Sequence, residues 1–446
     1  MKTSLLLAHL ALACALYAAP ARAEDLMDLL RLAVAEDPTL AQADAGKRAT
    51  DQNVPIGRSA LLPQATLQQQ LVDTRGGTLD DHAGHLRERQ LGGSVTQTLF
   101  NLSDLATLRQ AKAEAAAGEE DLRGARLDLF MRLAQAYFDV LVAQDQLRTY
   151  DAYEDAYRRQ YEQTSVRYEQ GLSAEVDMNQ AKAYWLSIKA QRIAVENALE
   201  SSRQALARIV GRPPGTLAVL REDFPMQMPV PADADAWVAQ AAQRSPAIGA
   251  DAQTLRAAEH AVTAARGGHL PTLAASFSYG RTGQWYTRAA SDPSYGRDEA
   301  AVGLTLSFPL YSGGRVHAQV RQALAQRDQA AGALEGSRRQ AEYEVRTYYK
   351  ALEQGVAQVE AARLAMSAAS DSVRAMQMGY EIGTQSLTNL VVAIGQLANT
   401  QSQYSSLRHQ FVMDQLLLRQ AAGVLAETDI EEINRWLQRA PAPAAP

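Results

Sequence analysis

Two clusters in this 446-residue chain carry side chains able to do chemistry. His82 and His85 follow Asp80-Asp81, imidazoles and carboxylates of the types that hold a divalent metal. Their surroundings are turn-like and show no further ligand pattern, so the stretch reads as a polar surface loop. Glu119-Glu120-Asp121 offers three carboxylates, and a run of this kind reads as a solvated helix face rather than an acid–base set. No H-E-x-x-H, G-x-S-x-G, P-loop or G-x-G-x-x-G pattern places a nucleophile, metal or cofactor. The single cysteine, Cys14, allows neither a disulfide framework nor a thiolate metal site. The residues therefore predict no catalytic, cofactor-binding or metal site, and function has to come from the elements themselves.

Those elements are long helices. Alanine supplies 82 of the residues, and none of the 16 prolines lies between Pro63 and Pro213 or between Pro309 and Pro441. Proline breaks helix interiors, so two such gaps favour uninterrupted helices over the alternating short elements of most enzymes. A net charge of −6 argues against a nucleic-acid partner, whose binding needs a Lys/Arg excess. At the N-terminus, Lys2, an apolar run from Leu5 to Ala19 and Ala21-Arg22-Ala23 predict a cleaved export signal over 1–23. Acylation at Cys14 is the competing reading of this segment. No later stretch is apolar for long enough to be a transmembrane helix, so an exported chain of this kind can enter a membrane only as strands.

The chain also repeats itself. Asp37-Pro38 matches Ser245-Pro246 and Leu62-Pro63 matches Leu270-Pro271 at an offset of 208, Tyr137-Phe138 matches Tyr348-Tyr349 at 211, and Tyr168-Glu169-Gln170-Gly171 matches Tyr380-Glu381-Ile382-Gly383 at 212. This predicts a tandem duplication: a first copy over 24–211, a Pro-rich linker over 212–236, a second copy over 237–423 and a C-terminal equatorial segment with a Pro/Ala tail over 424–446. Each copy reads as helix, two strands, long helix and shorter helix. Apolar seams from Leu122 to Tyr168 and from Leu334 to Tyr380 both repeat at about 3.54 residues per turn, close to the heptad value. One helix over Asn101 to Gln170 would be roughly 105 Å long.

The strands follow period two. Val302, Leu304, Leu306 and Phe308 alternate with small polar residues, as do Leu273, Ala275, Phe277 and Tyr279. One apolar and one small polar face fits a transmembrane barrel or a half-buried sheet. Leu67 to Val72 and Leu91 to Leu99 are weaker counterparts, and polar loops are expected over Asp73 to Gln90 and Thr282 to Glu299. Trp285-Tyr286 falls in the second loop. Phe100 and Tyr311, where strand turns to helix, are the better membrane-interface candidates. Four strands cannot close a lipid-spanning barrel, so two or three copies would have to supply eight or twelve.

Glu24-Asp25-Leu26-Met27, Ala136-Tyr137-Phe138-Asp139-Val140-Leu141, Gly268-His269-Leu270-Pro271, Leu306-Ser307-Phe308-Pro309-Leu310-Tyr311-Ser312-Gly313-Gly314 and Gly379-Tyr380-Glu381-Ile382-Gly383-Thr384 occur in this order. In these motifs the chain resembles the TolC family of outer-membrane channel proteins, from Glu24 to about Leu437. The resemblance implies a mainly α fold with a small β part. A homotrimer would form one 12-stranded transmembrane β-barrel in outer-membrane lipid, four strands per chain, continued by a long antiparallel α-helical tunnel across the periplasm. The implied partners are a periplasmic adaptor (membrane fusion protein) and an inner-membrane ABC or RND transporter. The implied function is the exit duct of efflux or type I secretion, passing small molecules or unfolded protein.

Gly171, Leu172 and Ser173, with Gly383 and Thr384, would be the adaptor-contact tips, about 100 Å from the strands by helix length. Read without the family they are helical-hairpin turns, each ended by a glycine, with Ser173 and Thr384 or Ser386 capping the next helix. Asp177, Tyr380 and Gln385 align with the family's gate network, with Asp177 and Tyr380 as a hydrogen-bonding pair and Gln385 in place of an arginine. Asn389 and Val392 align with acidic positions at the pore constriction, so this mouth would lack a negative ring. The alternative is a soluble periplasmic coiled-coil scaffold or adaptor, which explains the helices but not the strand period.

Overall fold

The computed structural model describes residues 24–78, 82–286 and 295–439. The export signal, Cys14 and the Pro/Ala tail lie outside them. The described residues begin with three helices, α1 (Leu26–Glu36), α2 (Pro38–Asp51) and α3 (Asn53–Ser59), followed by strands β1 (Gln64–Thr78) and β2 (His82–Phe100). Next come α4 (Leu102–Glu169) and α5 (Glu175–Val210). The order recurs after a short strand β3 (Ala218–Leu220), with α6 (Ala234–Arg244), α7 (Pro246–Gly267), β4 (Thr272–Tyr286), β5 (Tyr295–Ser307), α8 (Arg315–Glu381) and α9 (Leu387–Ala421). A short α10 (Glu427–Asn434) and β6 (Leu437–Arg439) close it. The long helices have 68 and 67 residues and their shorter followers 36 and 35. At 1.5 Å per residue α4 alone is about 100 Å long, which its freedom from proline permits. Among the described residues no helix is long and apolar enough to cross a membrane.

The four long strands form one antiparallel sheet in the order β1-β2-β4-β5, so the β1–β2 and β4–β5 hairpins meet through β2 and β4. The expected polar loops are mostly strand. The ladder runs on to Thr78↔His82 in the first hairpin and to Gln284↔Tyr295 in the second, so His82 and His85 lie on β2 and Trp285-Tyr286 on β4. Backbone pairing needs no apolar face, and where both sides of a sheet are wet the hydrophobic alternation fades although the strand continues.

The chain divides into two compact units. The first holds residues 44–122 and 246–338, that is, the sheet, α3, α7 and the ends of the long helices next to the strands. Here α7 lies close against the start of α4: the Ser103 hydroxyl donates to the Ala264 carbonyl at 2.8 Å, and a Cβ at Gly267 would sit 2.5 Å from that hydroxyl oxygen. Of the acidic run, Glu119 is exposed and ion-paired with Lys47 at 3.3 Å, whereas Glu120 is half-buried and burial pushes the Asp121 carboxyl up, so the run is only partly a solvated face.

The second unit holds 24–43, 123–245 and 339–439. Its core includes the fully buried rings of Tyr137, Phe138 and Phe411, and the Tyr137 hydroxyl donates to the Ala218 carbonyl at 2.6 Å. Buried Asp37 caps α2 by accepting from the Leu40 N–H at 2.7 Å, and both its oxygens take bonds from Arg132 at 3.0 Å. The segment 212–236 is more than a linker, because its β3 pairs with β6 near the C-terminus. The first seam tracks the buried face of α4 from Leu122 to Val140, but Tyr168 is exposed. Beyond residue 150 the buried row is Tyr153, Tyr157, Gln160 and Thr164, two of them polar and therefore hidden from a search for apolar residues.

Candidate functional site

The sheet has two chemically distinct faces. Residues directly opposite in an antiparallel ladder share a face, so the register sorts the side chains into rows. Ala65, Val95, Phe277 and Val302 form one row, one residue from each strand, and Leu67, Gly93, Tyr279 and Ala300 the next. Toward the helices this face continues through Ala275 and Leu304, then Leu273 and Leu306. It is not covered: Leu67, Val302 and Leu304 are 80%, 83% and 71% exposed. On the opposite face Thr66, Ser94, Ser278 and Ala301 align, then Gln68, Gly92, Gly280 and Glu299. The Thr66 and Ser94 hydroxyls are bonded at 2.8 Å. This polar face lines a hollow of about 350 Å³ that includes Thr66, Gln68, Gln90, Ser94, Ser278 and Thr282. Burying the apolar face in water-free surroundings and keeping the polar face wet is what a barrel wall requires. With 13 to 19 residues each, the strands exceed the 9 to 11 residues that a tilted span needs. The outer edges, β1 and β5, have no partner strand among the described residues.

Phe100 ends β2, paired with Leu273 across a register shift, and Tyr311 stands between β5 and α8 at 88% exposure. Both lie where the apolar face gives way to helix.

At the other ends of α4 and α8 the chain turns twice by the same device. Gly171 and Gly383 take φ of +72° and +79°, the left-handed region that suits glycine. Leu172 N–H donates to the Arg167 carbonyl at 2.8 Å and Gly171 N–H to Tyr168 at 2.9 Å. Thr384 N–H donates likewise to Gly379 at 2.8 Å and Gly383 N–H to Tyr380 at 3.2 Å. These are paired Schellman closures that satisfy the last helical carbonyls. The capping expectation holds for Ser386, which accepts from the Asn389 N–H at 3.2 Å. It fails for Ser173 and Thr384. Ala174 is the N-cap of α5, the Ser173 hydroxyl donates to Asp177 at 3.4 Å, and the Thr384 hydroxyl turns back to the Gly379 carbonyl at 3.1 Å.

Near the tips, Tyr153 and Tyr157 of α4 pack with Ala181 of α5 and with Leu387, Leu390, Val391 and Ile394 of α9. The Tyr157 hydroxyl donates to the Val391 carbonyl at 3.0 Å, and burial pushes that phenol up to about 12. Tyr380 flanks this cluster with the Arg167 guanidinium 5.8 Å from its ring centroid. Asp177 bonds Ser173 and not Tyr380, so the expected Asp177–Tyr380 hydrogen bond is not made within the chain. Gln385 and Asn389 are brought together, the Asn389 amide donating to the Gln385 side-chain oxygen at 3.0 Å.

Because α9 buries Leu387, Leu390, Val391 and Ile394, its other side is solvent-facing. Gln385 precedes the helix, and Asn389, Val392, Gln396, Asn399, Gln403, Ser406 and Gln410 follow at alternating steps of four and three. All but the half-buried Gln385 are exposed, and none is charged. This stripe, of which only the first members were expected from the sequence, was readable there as a heptad-spaced uncharged row, polar but for Val392.

The family model described as "Outer membrane efflux protein" matches the chain twice, over residues 29–212 and 237–424. The outer membrane protein TolC of Vibrio cholerae is 30% identical over 421 residues, 93% of this chain and 94% of that protein. The proteases secretion protein PrtF of Dickeya chrysanthemi is 26% identical over 439 residues, 94% and 93% of the two chains. Among solved structures, the outer membrane protein VceC of Vibrio cholerae superposes with a TM-score of 0.75 at 20% identity, covering 89% of this chain and 96% of that one.

Proposed function

The chain belongs to the outer membrane efflux protein family, whose members are outer-membrane channels with helical periplasmic parts, and we propose that three copies close their sheets into a single barrel. It serves as an outer-membrane efflux or secretion duct. The two open strand edges and the uncovered apolar face support closure between copies, and the family likeness favours three. A sheet in lipid cannot leave edge N–H and C=O groups unpaired, and four strands are too few to close alone. Pairing β5 of one copy with β1 of the next gives 12 strands. The same observation disfavours a soluble scaffold or adaptor, which would expose Leu67, Val302 and Leu304 to water.

The repeated element order supports two copies of one ancestral unit, 24–211 and 237–423, joined through 212–236. The paired tips around Gly171, Leu172, Ser173, Gly383 and Thr384 are the surfaces offered to a periplasmic adaptor, and an inner-membrane ABC or RND transporter supplies the cargo. Asp177, Tyr380 and Gln385 form the gate region, and Asn389 and Val392 line the constriction. Phe100 and Tyr311 sit at the periplasmic membrane interface. The duct is passive and does no catalysis; it opens by iris-like movement of the helix tips. The uncharged stripe on α9 supports a lumen with weak ionic preference, suited to small molecules or unfolded polypeptide of varied charge.

Migration of an outer-membrane fraction on gels, unheated and boiled, tests the assembly. A heat-modifiable band at three times the chain mass is expected, and recovery as a soluble monomer overturns the proposal.

A further inference from the structure

Above its apolar rows the outward face of the sheet turns basic. Arg281 follows Tyr279 on β4, and Arg89 and Arg87 lie on β2 in the next two rows. Arg89 and Arg281 are diagonal neighbours, since Arg89 pairs with Gly283 and Leu91 with Arg281. Diagonal positions lie about 7–8 Å apart, within the span of one phosphorylated sugar headgroup. The row holding Arg89 runs on through Gly283 and Gly296, which carry no side chains, so beside Arg89 the face is a notch floored by backbone two strands wide. Space around Gly296 is open, with no atom within 4 Å of where a Cβ would be.

The depth is also right. Arg281 is eight residues from Leu273, about 27 Å along the strand, and the row of Arg89 is about 34 Å away. At a tilt near 40° these become roughly 20 and 26 Å of membrane thickness, against an apolar band of about 25 Å. The arginines therefore straddle the rim farthest from the helices. Among the described residues, two carboxylates share the face. Asp298 lies 3.4 Å from Arg281 and Asp73 lies 3.4 Å from Arg87, both as exposed pairs of the kind that contribute little. Arg89 is exposed and has no carboxylate partner among the described residues.

We infer that Arg89 and Arg281, with the Gly283–Gly296 notch between strands, form a binding site for the phosphate groups of a phosphorylated glycolipid in the outer leaflet. Guanidinium forks match phosphate geometry bidentately, and here the acyl chains of the same lipid would lie on the apolar rows below. This rests on the strands spanning a membrane.

The test uses the full-length mature protein in phosphatidylcholine vesicles, with bisphosphorylated lipid A and its dephosphorylated form as probes, read by native mass spectrometry of lipid retained on the protein. The wild type is expected to retain the phosphorylated form about tenfold better, a preference lost in Arg89→Gln/Arg281→Gln. The single variants serve if the double variant does not assemble, each losing part of the preference. Arg297→Gln removes the same charge from the polar face and is expected to change nothing. Equal retention of both probes, an undiminished preference in the arginine variants, an equal loss in Arg297→Gln, or full displacement by millimolar inorganic phosphate overturns the lipid site. A protein that enters the vesicles yet shows no preference refutes this site alone, whereas one that fails to enter them refutes the barrel as well.

Discussion

The Asn389 amide donates to the Gln385 side-chain oxygen at 3.0 Å, joining two uncharged residues at the start of α9. Nothing at this position holds charge, and the exposed stripe below it stays neutral as far as Gln410. On α5, its counterpart in the first copy, exposed positions include Lys182, Lys189, Glu196 and Arg203. The two halves keep one architecture while their solvent-facing chemistry differs.

The constriction proposed at Asn389 and Val392 is neutral, which predicts weak ion selectivity. In planar bilayers with a salt gradient, the wild-type reversal potential should lie near zero. Asn389→Asp with Val392→Asp, which places a carboxylate ring at the mouth, should raise the cation-to-anion permeability ratio at least about threefold. Strong cation selectivity in the wild type that is lost on changing Asn389 would contradict this.

The Schellman turn at Gly383 makes a local prediction. Gly383→Ala forces a Cβ into the left-handed region at a cost of about 1 kcal/mol. Hydrogen exchange at the Thr384 amide, bonded to Gly379 at 2.8 Å, should then quicken roughly fivefold while global melting stays unchanged.

Asp37→Asn keeps the α2 cap but breaks the bidentate pair with Arg132, and should cost about 2 kcal/mol. Asp37→Ala, which also removes the cap to Leu40, should cost roughly 1 kcal/mol more. Hydrogen bonding from Arg132 holds the Asp37 carboxyl below its usual value. The pair's contribution is therefore full above the unfolded value of about 3.8 and is lost as pH falls through the lower folded value. Chemical denaturation of wild type and Asp37→Asn at a series of pH values should show the gap closing only in that acid range.

Burial pushes the His409 imidazole down, its ring lying 5.7 Å from that of Phe138 while its Nδ1 meets the Ser405 carbonyl at 2.8 Å. The folded protein favours the neutral ring, so below the unfolded value of about 6.5 the unfolded chain binds the extra proton and stability falls. His409→Gln should abolish this component of the pH slope between about 6.5 and 5. Asp414, whose carboxyl burial pushes up, acts in the opposite sense and is common to both proteins.

Much of this was legible in residue order. The Pro63–Pro213 and Pro309–Pro441 gaps mark the long helices, because one proline would have broken them. Gly171 and Gly383 mark their ends, since a left-handed residue is needed there. The alternation of Val302, Leu304 and Leu306 marks a two-faced strand. The outer halves of the hairpins were not legible, because Thr74-Arg75-Gly76-Gly77 and Arg281-Thr282-Gly283 pair through backbone while carrying no period. The buried polar row Gln160 and Thr164 was missed for a related reason: its hydrogen bond, 3.3 Å between the two side chains, makes burial affordable without hydrophobicity. Ser173 looked like a cap by type, but the residue that takes the extended N-cap geometry is Ala174, one position on.

Closure of the sheet by neighbouring copies is the claim on which the duct depends, and native mass spectrometry of the protein extracted from outer membranes measures it directly. A trimer that stays intact until heated, with exchange protection along both β1 and β5, is the expected result. A monomer with either edge strand freely exchanging would contradict a shared 12-stranded barrel.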